Sequence, residues 1–325
     1  MKSKAVRIQA HGAADVLKIE TVDVADPGPN EVLIRHTAIG LNFQDIYQRS
    51  GFYQLPMPAG LGTEGAGVAE KVGANVKDIK AGDRVCYAGG APGSYAEYRL
   101  FPADRVIKTP ANVTDEQAAA SLLKGMTAEY LLNRCYPVRT GEFVLFHAAA
   151  GGVGLVAGQW GKHLGAKMIG IAGGAEKCKL ALANGYAHCI DRNSEDVVAR
   201  VKEITGGKGV PVVYDSVGKN SFDQSLHSLA ARGYFVSFGT TTGAPPPVEA
   251  GALQKGGSLY FTRPTLVTYT ASTEDLRASA KALFELVGSG AIKVSVNQKY
   301  PLADIVKAHQ DLESGKTSGS TIIVP

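Results

Sequence analysis

The spacing of apolar and polar positions changes rhythm twice along the chain. From Lys4 to about Lys108, apolar residues fall in short runs: "KAVRIQ", "EVLIRHTAIG", "GAGVAEKVG", "DRVCYAG" and "SYAEYRL". Pro27-Gly28-Pro29, Gly51, Pro56, Pro58, Gly60 and Ala81-Gly82-Asp83 separate them. Closely spaced short strands with turn residues between them predict a compact, mostly β domain with few helices. "TDEQAAASLLKGMTAEYLLNRC" then takes up a helical pattern, with Thr114 as N-cap and Gln117 three residues on.

From Gly141 strands and helices alternate. Strands are predicted at "FVLFH", "KMIGIAG", "AHCID", "VPVVYDSVG", "YFVSFG" and "SLYFT". Helices are predicted at "GVGLVAGQWGKHLG", "AEKCKLALANG", "SEDVVARVKEITGG" and "NSFDQSLHSLAARG", with a Pro-rich loop before the last strand. Such alternation predicts a doubly wound parallel sheet, and the near-continuous apolar runs "FVLF" and "VPVVY" suit strands buried on both faces. The tail holds a helix, "STEDLRASAKALFELVGSG", and a terminal strand, "STIIV", expected to return to the first domain. The chain is therefore expected to be α/β, with a nucleotide-binding domain at 126–265 inserted in a mostly β domain of 1–125 plus 266–325.

A length of 325 residues suits two domains better than one core. A net charge of +4 is too small to make nucleic acid or an anionic membrane the main partner. Cys86, Cys135, Cys178 and Cys189 show no C-x-x-C spacing and no zinc-like pairing with His, which predicts free thiols in a reducing compartment. The first residues contain no signal-peptide core and no run approaches about 18 apolar residues, so a cytoplasmic location is expected.

Chemistry concentrates in "EFVLFHAAAGGVGLVAGQWGKHLG". Ala149, Gly151 and Gly154 occupy the three positions of G-x-G-x-x-G, with Ala149 in place of the first glycine. Ala149, Gly151, Gly152, Val153 and Gly154 thus form a candidate turn for a dinucleotide pyrophosphate, at the N-terminus of the following helix. NAD sites hold an acid at the end of the second strand, whereas this strand ends on Gly173 and Gly174. Lys177 and Arg192 follow, and Glu176 is the nearest acid. Cations without a facing carboxylate suit a 2′-phosphate, so NADPH is the expected cofactor. Phe238, Gly239 and Thr240 end the fifth strand, where ligands of such sheets collect.

"GLNFQDIYQRSGFY", "LGTEGAGVAEKVG", "AGDRV", "AAASLLKGMTAEYLL", "FHAAAGGVG", "VVYDSVG" and "GSLYFTRPTL", in this order, resemble the zinc-free quinone oxidoreductases. These belong to the medium-chain dehydrogenase/reductase superfamily and include the zeta-crystallins. The resemblance spans essentially the whole chain. It implies a GroES-like catalytic domain split around a Rossmann domain, NADPH-dependent reduction of a quinone, and homodimers joined through the last strand of the Rossmann sheet. Where zinc-containing relatives carry a metal-binding Cys and His, this chain has Asn42 in "NFQD" and Thr63 in "GTE", and the four-Cys zinc loop is missing. No metal site is therefore expected.

The resemblance also implies site residues. Asn42, Tyr47, Tyr53 and Arg263 are candidates around the nicotinamide and acceptor, Arg263 for charge stabilisation or for holding the cofactor. Amide and phenol groups can hydrogen-bond a quinone oxygen. Lys124, Thr127 and Ser318 are further candidate cofactor contacts. Two alternatives stay open: reduction of α,β-unsaturated carbonyls, and a cofactor-binding crystallin or RNA-binding protein.

Overall fold

The computed structural model describes residues 1–325, which divide into two compact units. One comprises Met1–Lys124 with Thr270–Pro325, the other Gly125–Tyr269.

The first unit holds strands β1 (Lys2–Ile8), β2 (Lys18–Asp23) and β3 (Glu31–Leu41), then helix α1 (Phe43–Ser50). Strands β4 (Ala59–Gly60), β5 (Glu64–Val72), β6 (Arg84–Ala88), β7 (Tyr98–Pro102) and β8 (Ile107–Lys108) follow, and helix α2 (Asp115–Glu129) runs across the boundary into the second unit. Sequence patterning missed α1. Asn42 and Asp45 form a capping box at its start, and Gly51, at φ 84°, ends it. Thr114 and Gln117 exchange hydrogen bonds of 3.1 and 3.0 Å at the head of α2, the capping box expected there.

In the second unit, β9 (Phe143–His147), α3 (Gly152–His163), β10 (Lys167–Ala172), α4 (Ala175–Ala183), β11 (His188–Asp191), α5 (Val197–Ile204), β12 (Val210–Asp215), α6 (Phe222–His227), β13 (Leu229–Ser237), α7 (Ala250–Lys255), β14 (Tyr260–Thr262) and α8 (Leu266–Tyr269) follow one another. The six strands form a parallel sheet in the order β11-β10-β9-β12-β13-β14. Strand order reverses between β9 and β12, which opens a ligand crevice at their carboxyl ends. The helix expected over "NSFDQSLHSLAARG" stops early. The Ser228 hydroxyl donates to the Gln224 carbonyl at 2.7 Å, and Leu229 already pairs with Val210 as β13. The Pro-rich segment expected as a plain loop runs into α7.

The tail returns to the first unit as α9 (Thr273–Gly288), β15 (Val296–Pro301), α10 (Ile305–Glu313) and β16 (Ser320–Val324). Strand β16 lies antiparallel to β3, with Ile322 opposite Gly40. The large sheet of this unit runs β15-β16-β3-β5-β6-β8, with β7 also on β3. Ile8, Ile39, Leu61, Ile305 and Ile323 meet in one fully buried cluster, which explains why a segment so distant in sequence belongs here. Strand β15 and helix α10 carried no sequence signal strong enough to read.

Candidate active site

At the tip of β9 the chain turns into α3 through Ala148, whose φ is 53°, and Gly151, the N-cap of the helix. A Cβ on Gly154 would lie 2.3 Å from the Ala148 carbonyl oxygen and 2.6 Å from that of Ala149, so a side chain there would push α3 off the turn. The free N–H groups of the first turn and the helix dipole thus stay close to the strand end, as a pyrophosphate requires. The turn fits a dinucleotide.

The second strand ends beside its cations. A Cβ on Gly173 would stand 3.1 Å from Arg192 Nε, so the guanidinium lies over this glycine. Burial, and then the Arg192 charge, lower the Lys177 pKa, so the two cations share one electrostatic neighbourhood. Asp191, overlooked in sequence, is the carboxylate near them. Its Oδ1 accepts the N–H groups of Gly174 at 2.8 Å and Asn193 at 3.0 Å, and these bonds hold its pKa low. That acid is occupied by backbone. The Lys177–Arg192 pair fits a 2′-phosphate.

The crevice between β9 and β12 has a support that sequence reading missed. Buried Asp215 Oδ2 accepts the Ser225 hydroxyl at 2.6 Å, and Ser225 in turn contacts His147 Nε2 at 2.8 Å. Asp215 Oδ1 takes the N–H groups of Val217 and Gly218 at 2.7 and 3.1 Å. Phe238 and Gly239 donate their N–H groups to the Asp215 carbonyl, which ties the candidate loop Phe238-Gly239-Thr240 to the end of β12. Burial lowers the His147 pKa, against the Asp215 charge that raises it. Arg263, just after β14, donates to the Ser237 carbonyl at 2.8 Å, and Thr127 is buried on α2.

In the first unit Asn42, Tyr47 and Tyr53 share one short segment. The Tyr47 ring packs 5.3 Å from Tyr53, 5.4 Å from Phe52 and 5.6 Å from Phe43, and the Tyr53 N–H donates to the Tyr47 carbonyl at 2.9 Å. Phe52 and Tyr53 are exposed. Asn42 is buried and donates through Nδ2 to Glu64 Oε2 at 2.8 Å. The same oxygen takes the Lys124 ammonium at 3.1 Å, and Glu64 Oε1 takes the Leu123 N–H at 2.7 Å. Ser318 is half-buried, two residues before β16. The structure thus gathers Asn42, Tyr47, Tyr53, Lys124 and Ser318 in the first unit, and the other candidates in the second.

Behind Asn42 lies a buried chain of donors. Asp45 Oδ2 accepts the Asn42 N–H at 2.9 Å and the Tyr95 hydroxyl at 2.7 Å. Tyr95 contacts His309 Nε2 at 3.1 Å, and Arg49 contacts His309 Nδ1 at 3.3 Å. An arginine can only donate, so Nδ1 accepts, Nε2 carries the proton, and every bond points toward Asp45. Arg49 also reaches Glu313 at 2.7 Å.

A zinc ion does not fit here. At the two positions where zinc-containing relatives hold ligands stand an amide committed to Glu64 and the fully buried hydroxyl of Thr63. Neither group is a thiolate or imidazole ligand.

A chain with this interrupted β unit, parallel nucleotide sheet and dinucleotide turn is a medium-chain dehydrogenase/reductase. Residues 28–111 match the alcohol dehydrogenase GroES-like domain, and 152–289 match the zinc-binding dehydrogenase family. Quinone oxidoreductase 1 of Escherichia coli is 50% identical, over 98% of this chain and 99% of its own. A crystal structure of E. coli quinone oxidoreductase complexed with NADPH superposes with a TM-score of 0.97, at 50% identity, covering 99% of this chain and 100% of that one. A 2-haloacrylate reductase from a Burkholderia species is 40% identical, over 98% of each chain. The chain belongs to the quinone oxidoreductase family.

Proposed function

We propose that this protein is an NADPH-dependent quinone reductase that works without a metal. The observation that carries the reading is Arg192 over Gly173, with Lys177 following on α4, beside a dinucleotide turn, in a member of the quinone oxidoreductase family. When bound, NADPH supplies the hydride. The protein's part is positioning and electrostatics. The N–H groups of Gly152, Val153 and Gly154, beyond the Gly151 turn, hold the pyrophosphate, and Lys177 and Arg192 hold the 2′-phosphate. Lys124, Thr127, Phe238, Gly239, Thr240, Arg263 and Ser318 are the remaining cofactor contacts of this reading. Asn42, Tyr47 and Tyr53 form the acceptor side, where N–H and O–H donors meet the quinone oxygens. A quinone needs less help from a Lewis acid than a ketone does, because its reduced form is aromatic and it accepts electrons readily.

The same reading makes the protein a cytoplasmic homodimer. The short strand β14 is one of the two edges of the parallel sheet and carries the exposed Tyr260, which supports joining there. No helix is long and apolar enough to cross a membrane.

One observation favours a second acceptor class. The 2-haloacrylate reductase relative acts, by its name, on an activated alkene. NADPH oxidation followed side by side with 1,4-benzoquinone, 2-chloroacrylate and an enone separates the two readings. The expected result is turnover of the quinone with the highest kcat/KM. Turnover of the alkenes without turnover of any quinone overturns the proposal.

A further inference from the structure

Glu64 has no place in the cofactor or acceptor reading, yet the first unit is shaped around it. The side chain is fully buried at the start of β5, and both of its oxygens are occupied. Three elements converge on it: Asn42 from the head of α1, Leu123 and Lys124 from α2, and Gly40 from β3. A Cβ on Gly40 would stand 2.1 Å from Glu64 Oε2 and 2.4 Å from the Ala119 carbonyl oxygen. Glycine weakens a strand interior, and here its lack of a side chain admits the carboxylate.

We propose that Glu64 is a positioning residue for acceptor reduction, holding the Asn42 amide in one orientation and the Lys124 charge beside it. The proposal rests on the reading of Asn42 as an acceptor-side donor. A carboxylate can only accept, so Nδ2 of Asn42 must face Glu64, and a flipped amide would set oxygen against oxygen. The other side of the amide caps the first turn of α1. One Nδ2 hydrogen remains, and that is the donor a quinone oxygen can use. Lys124 bonds the same Glu64 oxygen as Asn42, which brings a positive charge next to that donor. Stability alone does not call for this arrangement. Replacing a buried ion pair by apolar side chains of similar volume is often neutral or stabilising, and a glycine in a strand adds a further cost. Both costs are accounted for if the carboxylate serves the site.

The test compares N42A, E64Q, the N42A/E64Q double variant and the apolar replacement E64L/K124M. For each, kcat and KM for 1,4-benzoquinone at saturating NADPH, the NADPH Kd and the Tm are measured. N42A is expected to lower quinone kcat/KM by about a hundredfold, the scale of a misplaced catalytic contact. E64Q should match it to within about threefold, with NADPH Kd unchanged, and should add nothing in the N42A background. E64L/K124M should melt at or above the wild-type temperature yet reduce quinone as slowly as N42A. A folded E64L/K124M at wild-type kcat/KM, or losses that multiply in N42A/E64Q, overturns the role of Glu64 and leaves Asn42 in place. Full activity in N42A overturns the acceptor-side reading of Asn42 itself, and this proposal with it.

Discussion

Ala149 at the tip of β9 and Gly170 in β10 divide one small space between them: a Cβ on Gly170 would lie 2.6 Å from the Ala149 Cβ. The dinucleotide turn tolerates alanine at its first position because the neighbouring strand gives up a side chain. Gly170→Ala is therefore expected to destabilise the protein by about 1–3 kcal/mol through overpacking. Ala149→Gly/Gly170→Ala should recover part of that loss. The remainder reflects the Tyr186 ring, which would stand 2.9 Å from the new methyl. Urea unfolding of Ala149→Gly, Gly170→Ala and the double variant checks this, and additive losses would contradict a shared space.

Lys177→Ala and Arg192→Ala should each weaken NADPH binding by roughly tenfold to a hundredfold, the scale of a charge-assisted hydrogen bond. NADH, which lacks the 2′-phosphate, should lose no more than about twofold on the same scale. Fluorescence titration with both cofactors measures the contrast. Equal losses for the two would remove the 2′-phosphate assignment.

Asp45 makes the stability of the first unit depend on pH. Burial pushes its carboxyl up to about 7, against the bonds from Tyr95 and Asn42 and the charge of Lys124, while the Glu64 charge raises it further. The folded state then holds this proton more tightly than the unfolded chain, whose Asp ionises near 3.8. The contribution to stability is complete below about pH 4 and is lost as the pH rises through 7. Asp45→Asn removes the dependence. The stability of the variant relative to wild type should rise by about 3 kcal/mol between pH 5 and pH 8. Denaturant curves at the two pH values give the difference directly. An unchanged difference would place the Asp45 pKa near its ordinary value.

The parts of this molecule that could be read from its sequence are those whose cause lies within a few residues. The six parallel strands follow from apolar runs such as "FVLF" and "VPVVY". The turn at Ala149–Gly154 follows from small residues between a strand and a helix. The capping box at Thr114 and Gln117 is a three-residue relation, and it formed. The failures are also local in kind. "NSFDQSLHSLAARG" has helix-forming residues throughout, but pairing of Leu229 with Val210 won over propensity and made β13 begin there. The cap of α1 uses Asp45 where Glu or Gln is the usual signal, so the helix passed as loop.

Sequence by itself determined the alternating strands and helices around the parallel sheet, the small-residue turn between β9 and α3, and that zinc ligands are lacking at Asn42 and Thr63. Those properties belong to residue types and their spacing. Only the tertiary structure decided that Glu64 meets Lys124 across 60 positions and that Arg49 meets His309 across 260. It also decided that Asp215 is satisfied by Ser221, Ser225 and two backbone N–H groups, and that Gly40 and Gly170 are the residues that make room. A buried charge must find its partner wherever the fold brings one within about 3 Å, and no periodicity along the chain records which partner that is.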